Sequence, residues 1–207
     1  MTDTDLTHLL LIVDRSGSMA SIATDMEGGI QQMLKDQQAQ PGAIVVDVWT
    51  FDDRPDHVFT AVRPDDVKGP LVIPRGMTAL NDAIGMAVTE LGERFAKYEE
   101  DDRPGTIIVV VVTDGQENSS HEWSGSQVHA LITEQSERWG WTFVYLGANV
   151  DAFAEGNRYG FDKGQTMNYA ATSKGAAGAM ATASSLITRT RSGLDNTLTD
   201  EEREAAL

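Results

Sequence analysis

The chain has 207 residues with 16 Lys and Arg against 32 Asp and Glu, a formal net charge of −16, and no cysteine. That charge argues against nucleic-acid phosphate or an anionic membrane as the main ligand, and the missing cysteines remove disulfides, thiolate zinc sites and cysteine nucleophiles. The length fits one domain, expected over residues 1–192 with an acidic C-terminal tail or short helix over 193–207; a polar N-terminus and a short first apolar run fit a soluble, cytoplasmic, self-repelling monomer.

Leu9-Leu10-Leu11-Ile12-Val13 is apolar throughout and ends at Asp14, as a central strand covered on both faces should. Ile22, Met26, Ile30, Met33 and Leu34 then repeat at helical spacing up to Gln40-Pro41-Gly42, which stops the helix. Gly28 and Gly29 inside it cost about 1 kcal/mol each relative to Ala and point to close packing against the sheet. A strand over 44–51, the turn Asp52-Asp53-Arg54-Pro55-Asp56 and a short alternating strand over 57–62 form a hairpin, which predicts an antiparallel edge. A stretch rich in Pro and Gly, 63–76, leads into a helix with the stripe Leu80, Ile84, Ala87, Leu91 and Phe95. Ile107-Ile108-Val109-Val110-Val111-Val112 is the strongest buried-strand signal, and it ends at Thr113-Asp114-Gly115.

Ser124 and Gln127 form a capping box for the next helix, whose stripe is Val128, Leu131, Ile132 and Gln135 and whose stop is Gly140. A strand over 141–146, a short helix near 150–158, a short strand around 167–170 and an Ala/Ser/Thr-rich helix from 173 to about 189 follow. Thr199 with Glu202 is a capping signature for a tail expected to end as an exposed acidic helix or to fray. The alternation of strands and helices predicts a layered α/β fold.

Asp14-Arg15-Ser16-Gly17-Ser18 and Thr113-Asp114-Gly115 fall at the carboxyl ends of the two most buried strands, the edge where open α/β sheets bind ligands. A turn after the first strand can aim Asp14, Ser16 and Ser18 at one point. With Asp114 and a further hydroxyl such as Thr78, they make an all-oxygen donor set suited to Mg2+ or Mn2+, whereas zinc recruits His or Cys. The four histidines, His8, His57, His121 and His129, share no metal-ligand spacing, and Trp123, Trp139 and Trp141 are expected to pack.

Asp14-x-Ser16-x-Ser18, Thr78 within Gly76-Met77-Thr78-Ala79-Leu80, and Thr113-Asp114-Gly115 together resemble the three-part metal-ion-dependent adhesion site of von Willebrand factor A domains. The resemblance covers nearly the whole chain. It implies a three-layer α/β/α, Rossmann-like fold with a mostly parallel central sheet and one antiparallel edge strand. It also implies metal coordination by Ser16 and Ser18 directly, by Thr78 directly or through water, and by Asp14 and Asp114 mostly through water. The remaining coordination position would go to an acidic side chain of a partner protein. Tyr145 to Phe153 and Asn168 to Thr172 resemble the small stand-alone members found in bacteria and tailed phages.

Arg15, Met19, Met77, Glu117 and Asn118 flank these loops and are candidates for a partner-selecting rim. The sequence therefore favours a non-enzymatic, metal-dependent protein-binding module with an unknown partner. Strand-end acids on an α/β sheet also serve magnesium-dependent phosphohydrolases. A structural metal within a larger assembly is the third reading.

Overall fold

The computed structural model describes residues 2–207. Six strands form one sheet in the order β3-β2-β1-β4-β5-β6: β1 (Asp3–Asp14), β2 (Ala43–Phe51), β3 (Pro55–Val62), β4 (Pro104–Thr113), β5 (Thr142–Gly147) and β6 (Thr166–Asn168). All neighbours pair in parallel except β2 and β3, so β3 is the expected antiparallel edge. The β2–β3 turn is tighter than the sequence indicates, because β3 already begins at Pro55.

The helices are α1 (Ala23–Gln38), α2 (Leu80–Ala96), α3 (Gly125–Trp139), α4 (Ala152–Tyr159), α5 (Ser173–Arg191) and α6 (Asp200–Ala205). Alternation along the central strands sends Leu9, Leu11 and Val13 to the face covered by α1 and α5, and Leu10 and Ile12 to the face covered by α2 and α3. Burial on both faces is why β1 and β4 are unbroken apolar runs. Gly29 lets α1 approach α5 closely, since a Cβ there would lie 2.7 Å from Met180 Cγ, whereas a Cβ on Gly28 would meet open space.

The segment after α5 folds back on it. Arg189 forks onto Glu202 at 2.7 and 3.1 Å, the Ala170 N–H donates to the Ala206 carbonyl at 2.8 Å, and Leu198 and Ala206 are buried. Trp141 is buried and Trp123 packs on α2 over Gly85, but Trp139 departs from expectation: it is 55% exposed, with the Arg138 guanidinium over its ring. Among the described residues, no helix is long and apolar enough to cross a membrane.

The chain leaves β1 for β2 on one side and reaches β4 on the other, so the order reverses between β1 and β4. In open α/β sheets such a reversal marks the edge where ligands bind. Asp14 ends β1, and Asp114 directly follows β4.

Candidate metal centre at the carboxyl edge of the sheet

Asp14 is fully buried and held on both oxygens: the Ser16 N–H donates to Oδ1 at 2.7 Å and the Thr113 hydroxyl to Oδ2 at 2.6 Å. Ser16 Oγ lies 3.1 Å from Ser18 Oγ, and Ser18 Oγ donates to Asp114 Oδ1 at 2.6 Å. Thr78 joins the same space, because a Cβ built on Gly115 would stand 3.3 Å from Thr78 Oγ1 and 3.5 Å from Ser18 Oγ. The structure thus brings Asp14, Ser16, Ser18, Thr78 and Asp114 together. Thr113, part of the sequence motif but absent from the expected donors, orients the Asp14 carboxylate.

The electrostatics are unusual for a carboxylate pair. Burial pushes Asp14 up to about 6, the hydrogen bonds from Thr113 and Ser16 offsetting only part of that cost, and burial also raises Asp114. Asp114 Oδ2 is buried with no hydrogen-bond partner. No Lys or Arg pairs with either acid among the described residues; Arg15 turns instead to Asp52 at 2.8 Å and to Asp56. Two desolvated carboxylates facing hydroxyls without a counter-charge fit a hard divalent cation. No group of three or more His, Asp or Glu side chains poised for a metal occurs among the described residues, so hydroxyls must complete any donor set here.

Two further carboxylates build the loop that carries Asp114. Asp82, in the first turn of α2, accepts three successive backbone N–H groups, from His121, Glu122 and Trp123, at 2.8, 2.9 and 2.7 Å. Glu117 accepts from the N–H groups of Asn81, Ser119 and Ser120 and from the Ser120 hydroxyl. Sequence pattern gives no sign of Asp82, which looks like any acid in a first helical turn.

The expected rim is redistributed. Met19 is fully buried in the α1 side of the core, so it is not a rim residue; the loop turns down there to start α1. Arg15 is largely buried and bolts the loop to the β2–β3 turn, and Glu117 is spent on backbone donors. Asn118 is exposed but ties Thr78 in place, its Oδ1 accepting from the Thr78 N–H at 2.9 Å. Met77 stands out at 53% exposure.

A second charge cluster lies deeper, between β1, β2, β3 and α2. Buried Asp47 accepts from His8, from Arg94, from His57 Nε2 at 3.0 Å and from the Ala61 N–H at 3.1 Å, while His57 Nδ1 faces Glu90 at 2.8 Å. Burial alone would raise Asp47, but these hydrogen bonds hold it well below the usual carboxylate range. His8 is lowered by burial, and His57 is raised because Asp47 and Glu90 outweigh its burial. The arginine and backbone donors already surround Asp47, so this cluster is a structural ion network.

No protein-family model and no curated protein matches the sequence. Solved structures do match in fold. Proximal thread matrix protein 1 from the mussel byssus aligns with TM-score 0.65 at 18% identity over 90% of this chain and 47% of its own; its form with a zinc-occupied MIDAS motif aligns with TM-score 0.60 at 16% identity, over 88% and 46%. Manganese-loaded TRAP protein from Plasmodium vivax aligns with TM-score 0.59 at 14% identity, over 86% and 73%. The chain spans about half the length of the mussel protein. At these identities the likeness establishes the fold, a von Willebrand factor A-type α/β sandwich with its antiparallel edge strand.

Proposed function

We propose that the chain is a non-enzymatic protein-binding module that uses a divalent cation held by Asp14, Ser16, Ser18, Thr78 and Asp114 to recognise an acidic side chain of a partner protein. One observation carries the reading: two buried carboxylates, one with an unpartnered oxygen, cluster with three hydroxyls and, among the described residues, no counter-charge. Zinc and manganese in the two neighbouring structures support a divalent metal in this fold, and the all-oxygen donors favour Mg2+ or Mn2+. When bound, such a cation supplies a Lewis-acidic position for a partner's carboxylate oxygen.

This chain's own residues prepare that position. Thr113 and the Ser16 N–H orient Asp14 and offset part of the cost of ionising it, and Ser18 fixes Asp114. Thr78 Oγ1 and Ser18 Oγ flank the space over Gly115, where a larger residue would crowd both. Ser16 and Ser18 hydrogen-bond to each other, and Ser18 to Asp114, rather than to a histidine, which speaks against a nucleophile activated for phosphoryl transfer.

The test is a pull-down from native host lysate with magnesium, beside the same bait in EDTA and a bait carrying Asp14→Ala. A partner captured only by metal-loaded wild type is expected; identical captures in all lanes would remove the metal from the interaction. Turnover of a phosphoester lost on Asp14→Ala would instead establish the hydrolase reading.

A further inference from the structure

Beside the metal loops runs a strip whose odd-numbered residues point outward: Ile73 is 54% exposed, the Arg75 side chain 57% and Met77 53%. The strip is bound to the metal loop itself. The Arg75 N–H donates to the Arg15 carbonyl at 2.9 Å, and the Gly17 N–H donates to the Gly76 carbonyl at 3.2 Å. Glu27 holds the N–H groups of Leu71 and Val72 at 2.7 and 3.2 Å, and Asp53 accepts from the Met77 N–H at 2.9 Å. Gly76 has φ +66, and a Cβ there would lie 2.6 Å from Asp53 Oδ2, so this path requires glycine.

Arg75 is oriented as well as exposed. Its Nε donates to Asp52 Oδ2 at 2.6 Å and its Nη2 lies 3.6 Å from Asp56, while Nη1 has no partner among the described residues. Asp52 is shared with Arg15, which keeps the Arg75 fork in place from below. A guanidinium fixed on one edge offers its other edge to a carboxylate with less rotamer entropy left to lose. Asp52, Asp53 and Asp56 face Arg75 on its bound side, so its outer edge is the part left to meet a carboxylate.

We propose that this strip is the partner-reading surface and that it fits an acidic segment with two carboxylates: one directed to the metal, one to Arg75, with an apolar side chain between them over Met77. The proposal rests on the metal-dependent reading above.

A displayed library of random peptides, selected on the immobilised full chain in Mn2+ and eluted with EDTA, tests it. Wild type should enrich peptides with paired Asp or Glu flanking an apolar residue. Arg75→Glu should keep one acid and replace the other with Lys or Arg. Arg75→Gln should lower enrichment of the second acid about tenfold while the first persists. Identical EDTA-eluted sequences from wild type and both variants overturn the rim assignment and leave the metal reading intact. A wild type that yields no EDTA-eluted sequence overturns the metal reading, and the rim assignment with it.

Discussion

Thr78 and Asn118 clasp each other by two hydrogen bonds: the Thr78 N–H donates to Asn118 Oδ1 at 2.9 Å, and the Asn118 N–H donates to the Thr78 carbonyl at 3.0 Å. The clasp joins the start of α2 to the loop that follows β4, and so sets the spacing between Thr78 and Asp114. Asn118→Ala should weaken Mn2+ binding by about 10–100-fold, the usual cost of losing an outer-shell orienting group, with the fold retained. Asn118→Asp, which keeps the acceptor, should retain most of the affinity. Calorimetric titration reads both; an unchanged affinity in the Ala variant would show that Thr78 is positioned without the clasp.

The buried Asp14 carboxylate lowers stability where nothing compensates its charge. Asp14 is raised from 3.8 to about 6 in the fold, so the folded state favours its protonated form. The sign follows: this group's contribution falls as pH rises from about 4 through about 6, and above that the ionised carboxylate opposes folding. Asp14→Asn is therefore expected to melt at or above the wild-type temperature in EDTA at neutral pH. Under the proposed metal reading Mg2+ should raise the Tm of the wild type, and the variant should lack that rise. Thermal melts of both proteins with and without Mg2+ check this, and a metal-dependent rise that survives in the variant would remove Asp14 from the site.

Asp82 anchors three consecutive N–H groups of the loop over residues 121–123. Asp82→Ala leaves them to water or to nothing, and should cost about 2 kcal/mol of unfolding free energy. Hydrogen exchange should rise at His121, Glu122 and Trp123 before it rises in β4. Unaltered protection at those amides would mean that the loop is held by Glu117 alone.

The histidine network gives a pH signature of its own. His57 is raised above 6.5, its burial outweighed by Asp47 and Glu90. Its contribution is fully present below the unfolded value near 6.5 and fades as pH rises through the folded value. His8 is shifted the opposite way, so the wild-type profile mixes the two. Comparing wild type with His57→Gln isolates one of them: the gap in Tm should be wider at about pH 6 than at about pH 9. A gap that stays constant across this range would refute the charged pairing with Asp47 and Glu90.

Adjacent glycines in α1 should respond with opposite signs. Gly28→Ala meets open space and should stabilise by about 0.5–1 kcal/mol through helix propensity. Gly29→Ala places a methyl within 2.9 Å of Met180 Cβ and should destabilise by about 1–3 kcal/mol. Urea midpoints of the pair measure the difference, and equal midpoints would contradict the α1–α5 packing.

The sequence by itself determined the strands and helices, the capping boxes at Ser124 and Thr199 and the antiparallel edge, and it pointed to the five oxygen-bearing residues that the fold gathers, because period, caps and strand-end motifs are local. Both glycines in α1 were legible as packing signals, yet only contact with α5 separates Gly29 from Gly28. Arg15 looked like a rim residue until the fold brought Asp52 and Asp56 beneath it, and Met19 until the loop turned it into the core. His8 and Asp47 lie 39 residues apart, and no spacing rule links them. Asp82 acquires its role from backbone donors in a neighbouring loop, and Glu117 from donors in its own loop and the first turn of α2. Charged and polar side chains take their partners from register and loop closure, which depend on the whole chain, whereas apolar periodicity needs only a few neighbouring residues to be read.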